Sequence, residues 1–376
     1  MKRLILHVGL HKTGSSAIQA SFMNGILAGT GYAYYGFGEQ NGSVPLYTLF
    51  ADQPHLHPQH IRMGLSRRDV ANYRQDILSK FEDFLSITQQ QVVLSGEDCS
   101  LLSVNELVKI PGFFKQYGFE VRVVIYARPW HNLISSIWCE LLKHGHLYVD
   151  LNFKPELWDS KLDIKTKISE FDTVFGKEQV MVYSYDKNNF PNGCVVTHFC
   201  KNLNIDIDSS RIVNANMGFS LPTAQLFYIF RKYGPPRGHS AIDYKRNHAL
   251  IYHLEKIEGP SVYFHSDLTQ KILAPHRLKK PWIEERLKGP FQEVFHDDYP
   301  HVIRNEADLL NLSENAMNWL CDHCGLDKLK LISKAYSYTD IAHQMFLFQS
   351  KQHPIKNVSF SKRVKKKVKS ILKRFL

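Results

Sequence analysis

The segment Gly9-Leu10-His11-Lys12-Thr13-Gly14-Ser15-Ser16 brings two glycines, a lysine and three hydroxyls into one short run. Glycines let a main chain turn sharply and lay its N–H groups against an anion, and a lysine adds positive charge. The Gly-x4-Gly frame is that of a phosphate-binding loop. In a nucleoside triphosphatase a lysine follows the second glycine directly and reaches the terminal phosphates. Here Ser15 holds that place and the lysine has moved inside the loop, to Lys12. The pattern points to an oxyanion site with different wiring. The plain alternative, a structural glycine turn, does not account for the lysine and the hydroxyls arriving together.

Such a loop needs a strand before it and a helix N-terminus after it. Residues 3–8 form a short apolar run ended by Gly9, and 16–22 carry apolar residues at helical spacing, so a strand, a loop and a helix are predicted in that order. Further buried strands are predicted at 91–95, 121–127 and 180–183. Helices are predicted at 69–87, from the capping-box pattern Ser103-x-x-Glu106, from Pro129 to about Lys143, and at 195–203. Strands that are apolar throughout and alternate with helices imply a parallel sheet covered on both faces, a three-layer α/β fold of P-loop-like type. Residues 30–60 are rich in Gly, Tyr, Pro and His and show no sustained period. Beyond 220 the chain reads as helical and loop-rich, without internal repeats.

The chain has 376 residues, 44% hydrophobic and 22% charged, which suits a globular protein with a sizeable core and excludes a disordered or fibrous one. No apolar run approaches the ~18 residues of a membrane-spanning helix. Leu4-Ile5-Leu6 gives way to His7, too short for a signal peptide, so a cytosolic chain is expected. Six scattered cysteines read as reduced thiols, and Cys321-Asp322-His323-Cys324 lacks the second pair a zinc site needs, so no metal is expected. His55, His57 and His60 read as a solvated loop. The net charge is +11, but nine basic residues and no acid lie between Lys356 and Leu376, leaving +2 for everything before them. A body this close to neutral argues against nucleic acid as a partner. Phe360, Val364, Val368, Ile371, Leu372 and Phe375 would form one stripe of a helix with lysines around it, the pattern of a basic amphipathic helix on an anionic membrane surface. The plainer readings of this 351–376 tail are a frayed end or a helix docked on the body.

The run His7-Val8-Gly9-Leu10-His11-Lys12-Thr13-Gly14-Ser15-Ser16-Ala17-Ile18-Gln19 resembles the 5′-phosphosulfate loop of the sulfotransferases that use 3′-phosphoadenosine-5′-phosphosulfate (PAPS), especially their bacterial carbohydrate-sulfotransferase branch. Ser15 and Ser16 replace a Thr pair of that branch and keep both hydroxyls. The resemblance implies that Lys12 binds the sulfate and its bridging oxygen, with Thr13, Gly14, Ser15 and Ser16 around the 5′-phosphate. A second motif of the family is an Arg at a strand end and a Ser eight residues on, together clamping the 3′-phosphate. Arg128 and Ser136 match it, with Ser135 as the alternative if the helix is rotated. An Arg fork suits a phosphate dianion and a helix-borne hydroxyl adds a donor. Relatives place the base that takes the acceptor's proton just after the strand that follows the first long insertion. The matching text is Ser95-Gly96-Glu97-Asp98, so Glu97 is the candidate, unless Glu97 or Asp98 only caps the next helix. Weaker echoes lie at Asn216 to Ser220 and at Arg286-Leu287-Lys288-Gly289. Clear resemblance covers about residues 3 to 220 of a domain expected to span 1–350. It implies a metal-independent transfer of a sulfuryl group to a hydroxyl of a glycan or glycolipid. The alternatives are a P-loop kinase and a non-catalytic nucleotide-binding adaptor.

Overall fold

The structure is a computed structural model that describes residues 1–10, 12–144, 150–213, 219–236, 238 and 240–352. The basic tail stripe at 360–376, His11 and the Asn216 echo lie outside the described residues.

Five parallel strands form the central sheet: β1 (Lys2–Gly9), β2 (Tyr32–Tyr34), β3 (Gln91–Ser95), β4 (Phe119–Ala127) and β5 (Val180–Ser184), in the order β2-β3-β1-β4-β5. The strands alternate their side chains between two buried faces. Leu4, Leu6, Val8, Val92, Leu94, Val123 and Ile125 point to one core, and Ile5, Val93, Val124 and Tyr126 to the other. The second core is closed by α1 (Ser15–Met23), through Ile18 and Phe22, and by Val196 and Phe199 from a helix at Val195–Asn202. The first takes Phe81 and Leu85 from α2 (Arg67–Ile87) and Ile134, Trp138 and Leu142 from α3 (Trp130–His144). That core runs on without a break through α4 (Leu221–Tyr233) to Phe348 in α5 (Tyr338–Gln352), so the helical region beyond 220 shares it.

The capping box forms at Ser103 and Glu106. The region 30–60, which carries no period, nevertheless supplies the edge strand β2 and a helix at Ser43–Phe50. The chain leaves β1 towards β2 on one side, while β4 leads to β5 on the other. The crevice between the C-terminal ends of β1 and β4 is therefore a topological switch point, where open α/β sheets bind ligands.

Burial holds the imidazoles of His7 and His131 down at about 4. Unfolded, these rings take up protons near pH 6.5; folded, only near 4. Their contribution to stability is complete above about pH 6.5 and is lost as pH falls towards 4. Urea midpoints measured between pH 7 and pH 4.5 should fall with acidity, and fall less steeply in a His7→Gln, His131→Gln double variant. Equal slopes would contradict this.

Candidate functional site

The loop after β1 makes two left-handed turns. Lys12 has φ 69° and Gly14, the residue before α1, φ 78°. A side chain at Gly14 would be strained by that backbone and would also press within 3.0 Å of Tyr185 and Val195. The residue before α1 is a glycine, which has no side chain to cap the helix, and none of the helix's own first-turn residues is an acid, so its N-terminal N–H groups favour an anion. Thr13 is buried and its hydroxyl donates to the Leu10 carbonyl at 2.7 Å, so its side chain braces the turn and only its main chain is left for a ligand. Ser15 is also buried, and its Oγ has no hydrogen-bond partner among the described residues. It lies 2.0 Å from where a Cβ on Gly9 would stand, so a side chain there would have to push the Ser15 hydroxyl aside. Ser16 is half-buried at the helix start.

Arg128 follows β4 directly, and its Nη1 donates to the Lys12 carbonyl at 2.9 Å across 116 residues of chain. The guanidinium lies 5.5 Å over the Tyr185 ring, the same ring that packs on Gly14. Tyr185 was not singled out by sequence; it follows β5, and its N–H donates to the Ala127 carbonyl at 2.7 Å. Ser135 is buried, with its Oγ 3.5 Å from the His131 carbonyl, whereas Ser136 is half-buried. At four-residue spacing Ser136 shares a face of α3 with Asn132 before it and Glu140 after it. Asn132 Oδ1 is buried with no partner among the described residues, and Glu140 Oε2 pairs with Lys12 Nζ at 2.5 Å. Ser136 therefore shares the helix face from which Glu140 reaches the loop, whereas Ser135 is turned into the packing. The N-terminus of α3 is capped from the far region of the chain: the Trp130 and His131 N–H groups donate to the two carboxylate oxygens of Glu293 at 3.0 and 2.9 Å.

Glu97 begins the short turn after β3, with its Cγ 3.2 Å from the Cβ position of Gly9, beside Ser15. Asp98 turns away to the buried ring of His57, whose Nε2 lies 3.1 Å from Asp98 Oδ2 while its Nδ1 accepts from the Gln59 N–H. His60 is buried as well, against Thr48 Oγ1 at 2.9 Å. The expectation of a solvated histidine loop is therefore corrected for His57 and His60, because both rings are taken into the packing under the 43–50 helix. His7 sits beneath the loop, fully buried. Its Nδ1 meets Ser95 Oγ at 2.8 Å, and that hydroxyl accepts from Gln19 Nε2 at 3.1 Å. Burial keeps the His7 ring neutral against the opposing charge of Glu97, and a ring with no exposure cannot take a proton from an acceptor. The Arg286 echo is spent on structure, holding both oxygens of Asp172 at 2.8 and 2.7 Å.

Lys12, Gly14, Ser15 and Arg128 are thus gathered at the ends of β1 and β4, with Ser136 on the adjoining face of α3 and Glu97 beside the loop's first glycine. A loop lysine, a helix N-terminus and an arginine brought together in this way can hold an ester carrying more than one anionic group. No family model, no curated protein and no solved structure matches this chain.

Proposed function

We propose that the chain is a sulfotransferase that moves a sulfuryl group from PAPS to a hydroxyl of a glycan or glycolipid, on a P-loop-like α/β fold. The observation that supports the reading is the bond from Arg128 to the Lys12 carbonyl, which brings the loop and the strand-end arginine together. The unpartnered Ser15 Oγ inside the loop fits a 5′-phosphate oxygen, and Arg128 with Ser136 fits the 3′-phosphate. In the reaction the acceptor oxygen attacks sulfur in line while the bond from sulfur to the bridging oxygen breaks, leaving adenosine 3′,5′-bisphosphate. Lys12 stabilises the charge that develops on the bridging oxygen, and Glu97 takes the acceptor's proton. A sulfuryl group carries less charge than a phosphoryl group, so fixed donors suffice for this step. Incubation with PAPS labelled in its sulfate should transfer label to glycan or glycolipid acceptors, and Lys12→Ala should abolish it. Transfer of phosphate from ATP with magnesium instead would establish the kinase alternative.

No helix among the described residues is long and apolar enough to cross a membrane. We read the basic amphipathic segment 360–376 as a contact with anionic lipid, to which each basic residue adds about 1 kcal/mol before screening. Sedimentation with anionic liposomes at low salt should drop when the chain is ended at Pro354. Unchanged partitioning would remove this role.

A further inference from the structure

Lys12 has a second engagement that the transfer mechanism leaves unused. Its ammonium bonds Glu140 Oε2, and the other oxygen of that carboxylate lies 3.1 Å from His144 Nε2 one helical turn on. Burial acts to raise the Glu140 carboxyl, but the hydrogen bond and charge of His144 and the charge of Lys12 overcome it and hold the group well below the usual carboxylate range. Glu140 is thus an anion at the same ammonium that a sulfate or phosphate ester would need. The pair is half-buried, with the two side chains 34% and 40% exposed, so part of it faces solvent from which an anion can arrive.

An ester oxygen on Lys12 would face the carboxylate across a few ångströms, and like charges at that separation repel. His144 offers Glu140 a partner that remains when Lys12 leaves, so the helix supplies a place for the displaced carboxylate. We propose that Glu140 is a positioning residue and built-in competitor: it holds the Lys12 ammonium at the loop and must yield it to an incoming phosphate or sulfate ester. The same competition works on the product, since the carboxylate reclaims Lys12 as the anion departs. The inference rests on the loop being an oxyanion site and not on which nucleotide it takes.

Calorimetry on the full chain tests this with two probes, inorganic pyrophosphate for the loop and adenosine 3′,5′-bisphosphate for the whole site. Glu140→Gln keeps the size of the side chain and removes the competing charge, so it should bind both probes about fivefold tighter than the wild type, the scale of a partly exposed ion pair. Glu140→Asp, which draws the carboxylate back by one methylene, should fall between the two. It also keeps the comparison available if the glutamine variant does not fold. A pair that served only stability would leave affinity unchanged or weaken it. Unchanged or weaker pyrophosphate binding in folded variants overturns the proposal, as does failure of pyrophosphate to bind any of the three proteins. Failure of the sulfotransferase reading looks different: pyrophosphate binding tightens in Glu140→Gln while adenosine 3′,5′-bisphosphate binds neither protein.

Discussion

Arg128→Ala should weaken binding of adenosine 3′,5′-bisphosphate by about 10- to 100-fold, the range of a lost charge-assisted contact of the arginine fork with a phosphate. Adenosine 5′-phosphate, which lacks the 3′-group, should lose far less. Some loss is expected for both, because Arg128 also holds the Lys12 carbonyl and lies over the Tyr185 ring, so its removal loosens the loop itself. The informative quantity is therefore the ratio of the two affinities, measured by calorimetry in wild type and variant. A ratio that stays constant would make Arg128 a structural brace of the loop and would take the 3′-phosphate away from it.

The second large effect concerns the base. Glu97→Gln should cut turnover by roughly 10²–10⁴ while nucleotide affinity stays near that of the wild type, because a general base acts on the acceptor's proton and not on the donor. Asp98 is held by His57, and His7 is fully buried. Normal turnover in Glu97→Gln would move the base elsewhere, with His7 and His11 next in line, His7 only if its burial is relieved.

The strands β1, β3 and β4 were legible because each is an apolar run long enough to stand out from its surroundings, and the helix after Arg128 because Pro129 and its apolar spacing mark it. β2 was not legible, since Tyr32–Tyr34 is an edge strand of three residues whose pairing to β3 is set by tertiary packing. In the site, local signals carried Lys12, Gly14 and Ser15, which lie in one loop. They failed wherever a partner arrives through folding. Glu140 is an ordinary acid of an amphipathic helix until Lys12 reaches it, and its four-residue spacing from Ser136 was the one available hint. Glu293 caps α3 from more than 160 residues away, and no local pattern announces it. Which of Ser135 and Ser136 is buried depends on the rotation of the helix, which the packing of Trp138 and Ile134 into the core sets and a local pattern does not reveal. His57 and His60 were misread because a Gly- and Pro-rich stretch with no period gives no sign that its polar rings meet Asp98 and Thr48 inside the fold.

On the proposed function, the loop at Lys12 and the arginine at the end of β4 together hold a nucleotide phosphorylated at both 3′ and 5′ positions. The direct test is a calorimetric titration of the full chain with adenosine 3′,5′-bisphosphate, set beside ATP with magnesium under the same conditions. The bisphosphate should bind one-to-one and much the tighter, without need of magnesium. Tight binding of ATP with magnesium and none of the bisphosphate would contradict it.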